Sequence, residues 1–219
     1  RNLAGRLTAV LAPPVLAAAG LGLVHCMSDW RPKLHFSPRA NWINDPNGLV
    51  WFDGEYHLFY QYNPQGDQWG HISWGHAVST DLASWQELPV AIPATDRVMA
   101  FSGSVVVDHD NTSGFAPPGS ATPALVAFFT GFDPVTRIQS QHVAYSLDRG
   151  RSYTPYAGNP IIDIGSTEFR DPKVFWHAPT KRWIIGWLLV PETAQAISAI
   201  HSGPRAPPPL SWSFSLLPR

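Results

Sequence analysis

One cysteine, Cys26, is all the thiol chemistry this chain has, so no intrachain disulfide can form and no cysteine-built metal site exists. Charge is scarce too: Asp, Glu, Lys and Arg make up 14% of the 219 residues, against about a quarter in ordinary globular chains. The net charge is -1 with no basic stripe, which removes the electrostatic footprint that nucleic acid requires. No glycine-rich phosphate loop occurs, and the nine histidines are scattered, so neither a metal nor a cofactor is expected. Pro13-Pro14 interrupts the one long apolar run, 1–24, and argues against a membrane-spanning helix. Nothing in the sequence fixes an oligomeric state.

Tryptophan (10) and proline (22) are plentiful. Flat rings with few charges suit stacking against sugars, and suit a packed all-β core equally well. The two ends differ from the middle. Residues 1–26 begin with two arginines and continue through Ala17-Ala18-Ala19, which resembles a secretory signal. A second reading places them upstream of a true start at Met27. The first implies secretion and the second a cytoplasmic protein. At the other end, 196–219 carries Pro204, Pro207 to Pro209 and Pro218, so it reads as a disordered, proline-rich tail.

The middle, 27–195, holds short strands, turns and aromatics with no long helical period. Leu49–Phe52 and 55–62 flank Asp53-Gly54, a strong two-residue hairpin signal. That layout recurs: a polar start, then strand, turn, strand, at Asp45-Pro46, at FSGSVVVDHD (101–110) and at Asp171-Pro172. The first two units continue with Ser-x-Asp and an aromatic beyond it, in 76–92 and 142–162. Each unit thus has about four strands over roughly 55 to 70 residues, the size of a β-propeller blade. A β-sandwich would also give short strands, but not a polar motif opening every repeat. After Trp187 no further Ser-x-Asp appears, so the third unit reads as unfinished. The expected fold is therefore all-β, an incomplete propeller of two to three blades.

Blades aim their innermost strands at one axis, so Asp45, Ser102 and Asp171 should meet there. Two carboxylates in a tryptophan-rich funnel repel each other and are costly to desolvate. Glycoside hydrolysis needs that arrangement, because its transition state carries positive charge. Asp45-Pro46-Asn47-Gly48 would also serve simply as a turn. Trp51, Trp74, Trp85, Trp176 and Trp183 read as core rings, and Asn111-Thr112-Ser113 is a glycosylation sequon if the chain is secreted by a eukaryote.

Trp42-Ile43-Asn44-Asp45-Pro46-Asn47-Gly48, Phe101-Ser102-Gly103-Ser104 and Glu168-Phe169-Arg170-Asp171-Pro172 resemble, in order, three signature motifs of glycoside hydrolase family 32. These are the β-fructofuranosidases: invertases, inulinases and levanases. The resemblance implies a five-bladed propeller and a retaining mechanism on sucrose or fructans. It makes Asp45 the nucleophile and Asp171 the transition-state stabiliser. Asn44, Gln61, Ser102 and Arg170 become contacts to fructose hydroxyls, with Asn44 also helping to hold the Asp45 charge. Trp69 and Phe101 become apolar walls.

The resemblance also implies a third group, an acid/base glutamate in a Glu-Cys motif, and no cysteine follows Cys26. Without it the leaving oxygen lacks a proton donor, a contribution worth about 10²–10⁴-fold in rate. The expectation is a truncated, inactive piece of a fructosyl-cleaving enzyme. A fructosyltransferase and a sugar-binding module without catalysis remain open, and a related arabinan or xylan hydrolase fits the motifs less well. The stretch 146–161 leans towards levanases and exo-inulinases.

Overall fold

The computed structural model describes residues 31, 32, 34–190 and the backbone of 197–202. The leader reading of 1–26 and most of the 196–219 tail lie outside the described residues. Among the described residues every regular element is a strand. The strands form three antiparallel sheets.

The first sheet is β1 (Ile43–Phe52), β2 (Glu55–Tyr62), β3 (Ser73–Ser79) and β4 (Gln86–Ile92), in that spatial order. Asp53 and Gly54 both take positive φ, 50° and 86°, as the expected tight hairpin demands. The second sheet repeats the plan with β5 (Met99–Asp108), β6 (Ala124–Phe132), β7 (Gln139–Ser146) and the short β8 (Thr154–Pro155). In the third, β9 (Phe169–His177) pairs with β10 (Arg182–Leu189), and β10 pairs with β11 (Ile197–Ser202). β11 falls in the stretch read as tail. Its backbone pairs from Ile184↔Ser202 to Leu189↔Ile197, and no proline interrupts 197–202 to remove a ladder donor. The four strand prolines, Pro46, Pro89, Pro155 and Pro172, all sit on edge strands, where a missing N–H is harmless.

The inner strands lie side by side, β5 between β1 and β9, so the three sheets are successive blades of an incomplete propeller. Apolar layers fill both seams. Phe59, Trp74, Ile92, Val105, Leu125 and Phe129 close the first. Val126, Phe128, Phe169, Val174, Ile185 and Trp187 close the second. Strand β6 serves both, which is why ALVAFFTGF is nearly unbroken apolar sequence and buried throughout. Burying one such side chain is worth about 1.5–3 kcal/mol. Trp74 is a core ring, as expected, whereas Trp51 is 51% exposed. Alternation along β1 gives the seam to Val50 and Phe52, leaving Trp51 on the other face against Tyr56.

Polar ties add to the packing. Within the first sheet, His57 on β2 and His76 on β3 share a buried hydrogen bond of 3.0 Å, and two ion pairs cross to the second sheet. At the solvent edge Arg149 pairs with Asp53 at 2.7 Å and Arg151 with Glu55, each worth about 0–1 kcal/mol.

Candidate active site at the inner strand ends

All three inner strands break register where their polar motif begins. The pairing of β1 with β2 skips between Ile43 and Pro46, leaving Asn44 and Asp45 out of the ladder. In β5 the skip falls between Ala100 and Gly103, around Phe101 and Ser102. In β9 it falls between Arg170 and Lys173, around Asp171 and Pro172. A bulge turns side chains out of the regular alternation. Here it does so at the same place in each blade, and the inner strands are neighbours. Gly103 is required there, because a Cβ would lie 2.0 Å from the Phe128 carbonyl oxygen.

Asp45 is solvent-exposed and accepts a hydrogen bond of 2.7 Å from Ser102 Oγ. The expectation that Asn44 would hold its charge meets a different partner. Asn44 Oδ1 accepts from Trp42 Nε1 at 2.8 Å, and Ser102 is the donor to the carboxylate. Asn47, buried at the same bend, turns its Oδ1 towards the Gly103 N–H at 3.4 Å.

Asp171 sits at φ 61°, and its N–H donates to the buried Thr130 Oγ1 at 2.9 Å. Its carboxyl is pushed above the ordinary aspartate value, first by desolvation. The Arg170 guanidinium opposes that push and the Asp45 carboxylate adds to it. Asp171 therefore feels the Asp45 charge, although its outer edge stays open to water, which screens the effect. Arg170 commits one nitrogen to Glu168, at 2.6 Å, and to Gln139 Oε1, at 3.2 Å. A guanidinium has five donors, so others remain for a ligand.

Gln61 is buried and donates Nε2 to the Ala100 carbonyl at 2.9 Å, just before the β5 bulge. Trp69, 54% exposed, meets Phe101 edge-on at 6.1 Å. Phe101 stacks on Phe132 at 4.6 Å. Sequence reasoning missed Phe132, Glu168, Gln139 and Thr130. Only Glu168 had a signal, its place two residues before Arg170 in one motif. The Asn111 amide nitrogen that a glycan would need already donates to the Ala116 carbonyl at 2.8 Å.

The chain matches the model of the glycosyl hydrolases family 32 N-terminal domain over residues 35–195. It is 54% identical over 158 residues to a levanase of Bacillus subtilis, covering 72% of this chain and 23% of that protein. An extracellular exo-inulinase of Aspergillus niger is 45% identical over 202 residues, with 80% and 37% covered. The crystal structure of exo-inulinase from Aspergillus awamori superposes with a TM-score of 0.72 at 44% identity, over 78% of this chain and 37% of that one. The chain thus spans between about a quarter and two fifths of the length of these relatives. With its three blades, its bulged motifs and the family model agreeing over the same residues, the chain belongs to glycosyl hydrolase family 32.

Proposed function

We propose that these residues form part of a retaining β-fructosidase site acting on sucrose or fructans. Asp45 attacks the anomeric carbon of a β-linked fructosyl unit, the bond to the leaving oxygen breaks, and a covalent fructosyl ester forms. Asp171 and Arg170 hold fructose hydroxyls as positive charge develops on the ring. Ser102 steadies the Asp45 carboxylate, and Trp69, Phe101 and Phe132 shield the ring from water.

The single observation that carries this reading is the Ser102–Asp45 hydrogen bond of 2.7 Å between two bulges on neighbouring inner strands. Asp171 on the third inner strand responds to the same Asp45 charge. A purely structural pair of turns would have no reason to bring two carboxylates within each other's field.

The test uses an activated fructoside whose leaving group departs without a proton. Cleavage of sucrose by these 219 residues alone should be undetectable, since no glutamate in a Glu-Cys context follows Asp171. The activated fructoside should nevertheless leave a fructosyl mass on the Asp45 peptide, absent in Asp45→Asn. No adduct, or an adduct that persists in Asp45→Asn, would overturn the assignment. Longer oligosaccharides accumulating at high sucrose would turn it towards fructosyl transfer.

A further inference from the structure

The second and third strands of each complete sheet oppose one another at a buried pair near the inner end. Gln61 faces Trp74 in the first sheet, and Thr130 faces Gln141 in the second. Both pairs direct their polar atoms forward, onto the inner strand of the next sheet. Gln61 Nε2 donates to the Ala100 carbonyl, and Trp74 Nε1 to the Phe101 carbonyl, each at 2.9 Å. In the second sheet, Gln141 Nε2 donates to the Phe169 carbonyl at 2.8 Å. Thr130 Oγ1 receives the Asp171 N–H at 2.9 Å and itself donates to Gln141 Oε1 at 3.3 Å.

These bonds land on the residues that flank the bulges. Ala100 stands two residues before Ser102, and Phe169 two before Asp171. A bulge strips backbone groups of their ladder partners, and a buried unpaired group is costly. A non-glycine residue at φ 61° is also strained by about 1–2 kcal/mol and persists only where its surroundings hold it. Thr130 supplies that hold at Asp171 through its backbone N–H. Ser104 secures the strand just beyond, donating Oγ to the Pro172 carbonyl at 2.9 Å and accepting from Val174 N–H at 3.0 Å.

We propose that Thr130 and Gln141 are positioning residues for Asp171: the second blade, through a buried cross-strand pair, fixes the left-handed backbone that aims the third blade's carboxylate at Asp45. Gln61 and Trp74 are the first blade's equivalent for Ser102. The role assigned to Thr130 and Gln141 rests on reading Asp171 as a site group, and two measurements on the 219-residue chain keep the two claims apart.

Amide hydrogen exchange follows the Asp171 N–H, and a carbon NMR titration follows its carboxyl. In Thr130→Val and in the smaller Thr130→Ala, Asp171 should exchange faster by on the order of 10-fold or more. Its carboxyl should also titrate nearer the ordinary aspartate value. Thr130→Ser should restore both, which loss of stability alone would not explain. If the valine does not fold, the alanine and serine variants still give the contrast. Unchanged exchange and titration in a folded Thr130→Ala overturns the proposal. If instead the exchange contrast holds while the Asp171 titration is indifferent to Asp45→Asn, the positioning role stands and the shared-site reading fails.

Discussion

The aspartates at the two ends of these sheets are the same side chain put to opposite uses. At the outer turns Asp81 accepts from the Ala83 and Ser84 N–H groups and from Ser79 Oγ. Asp148 repeats this with Ser146 Oγ and the Ser152 N–H. Asp81 is accordingly held down at about 2, the Ser84 N–H contributing most and the Ala83 N–H next. At the inner ends, among the described residues, Asp45 accepts one hydrogen bond, from Ser102, and Asp171 is pushed upward, mainly by desolvation. A carboxylate saturated by its own turn stabilises that turn. One left under-coordinated beside another carboxylate is available to a ligand.

The sharpest way to break this contrast is to neutralise each kind in turn. Asp45→Asn should abolish fructosyl labelling entirely while moving stability by no more than about 0.5 kcal/mol, read by peptide mass and urea unfolding. Asp108 closes the turn after β5, buried and accepting from Thr112 N–H, Thr112 Oγ1 and Ser113 N–H. Asp108→Ala should therefore cost about 3 kcal/mol in the same unfolding experiment, with labelling retained in the folded fraction. Ser146→Ala should cost about 2 kcal/mol, because its buried hydroxyl serves both Asp148 and the Gly150 N–H. Equal stability losses at inner and outer aspartates would erase the distinction.

Acid should attack the seams. Burial, then His57 and Arg151, hold His76 down to about 3. Burial holds His142 down to about 4 against the pull of Asp163. The unfolded chain takes up these protons near 6.5 and the folded chain does not. Their stabilisation is therefore complete above about 6.5 and is lost as pH falls towards the folded values, by up to about 1.4 kcal/mol per pH unit for each group. Urea midpoints measured from pH 7 to 5 should show this slope, and His76→Gln should flatten it. Asp171 has the reverse sign. Its raised folded value makes the charged form a cost that is absent at low pH and appears as pH rises through the unfolded value. Asp171→Asn should thus raise stability at pH 7 by a few tenths of a kcal/mol, helped by asparagine's tolerance of positive φ.

Strand order and turns were legible because their signals are local. Asp53-Gly54 dictated its hairpin, and both Ser-x-Asp turns could be recognised from one repeat to the next. The convergence of Asp45, Ser102 and Asp171 was an expectation from blade repetition; the structure bonds Ser102 to Asp45 and sets β5 between β1 and β9. What stayed hidden was carried by register. Thr130 and Gln141 look like ordinary strand residues until the pairing of β6 with β7 sets them opposite one another. β11 was missed because 197–202 has neither the expected polar turn nor an aromatic, and only pairing with β10 defines it. Trp51 was misread as core because composition does not say which face of β1 is covered.

The most direct test follows the Asp171 carboxyl by NMR titration in the unmodified chain and in Asp45→Asn. If the two aspartates share one site, removing the negative charge on Asp45 lowers the Asp171 value. An Asp171 titration indifferent to Asp45→Asn would mean that the two carboxylates do not share a field, and the fructosyl-cleaving assignment would fail with it.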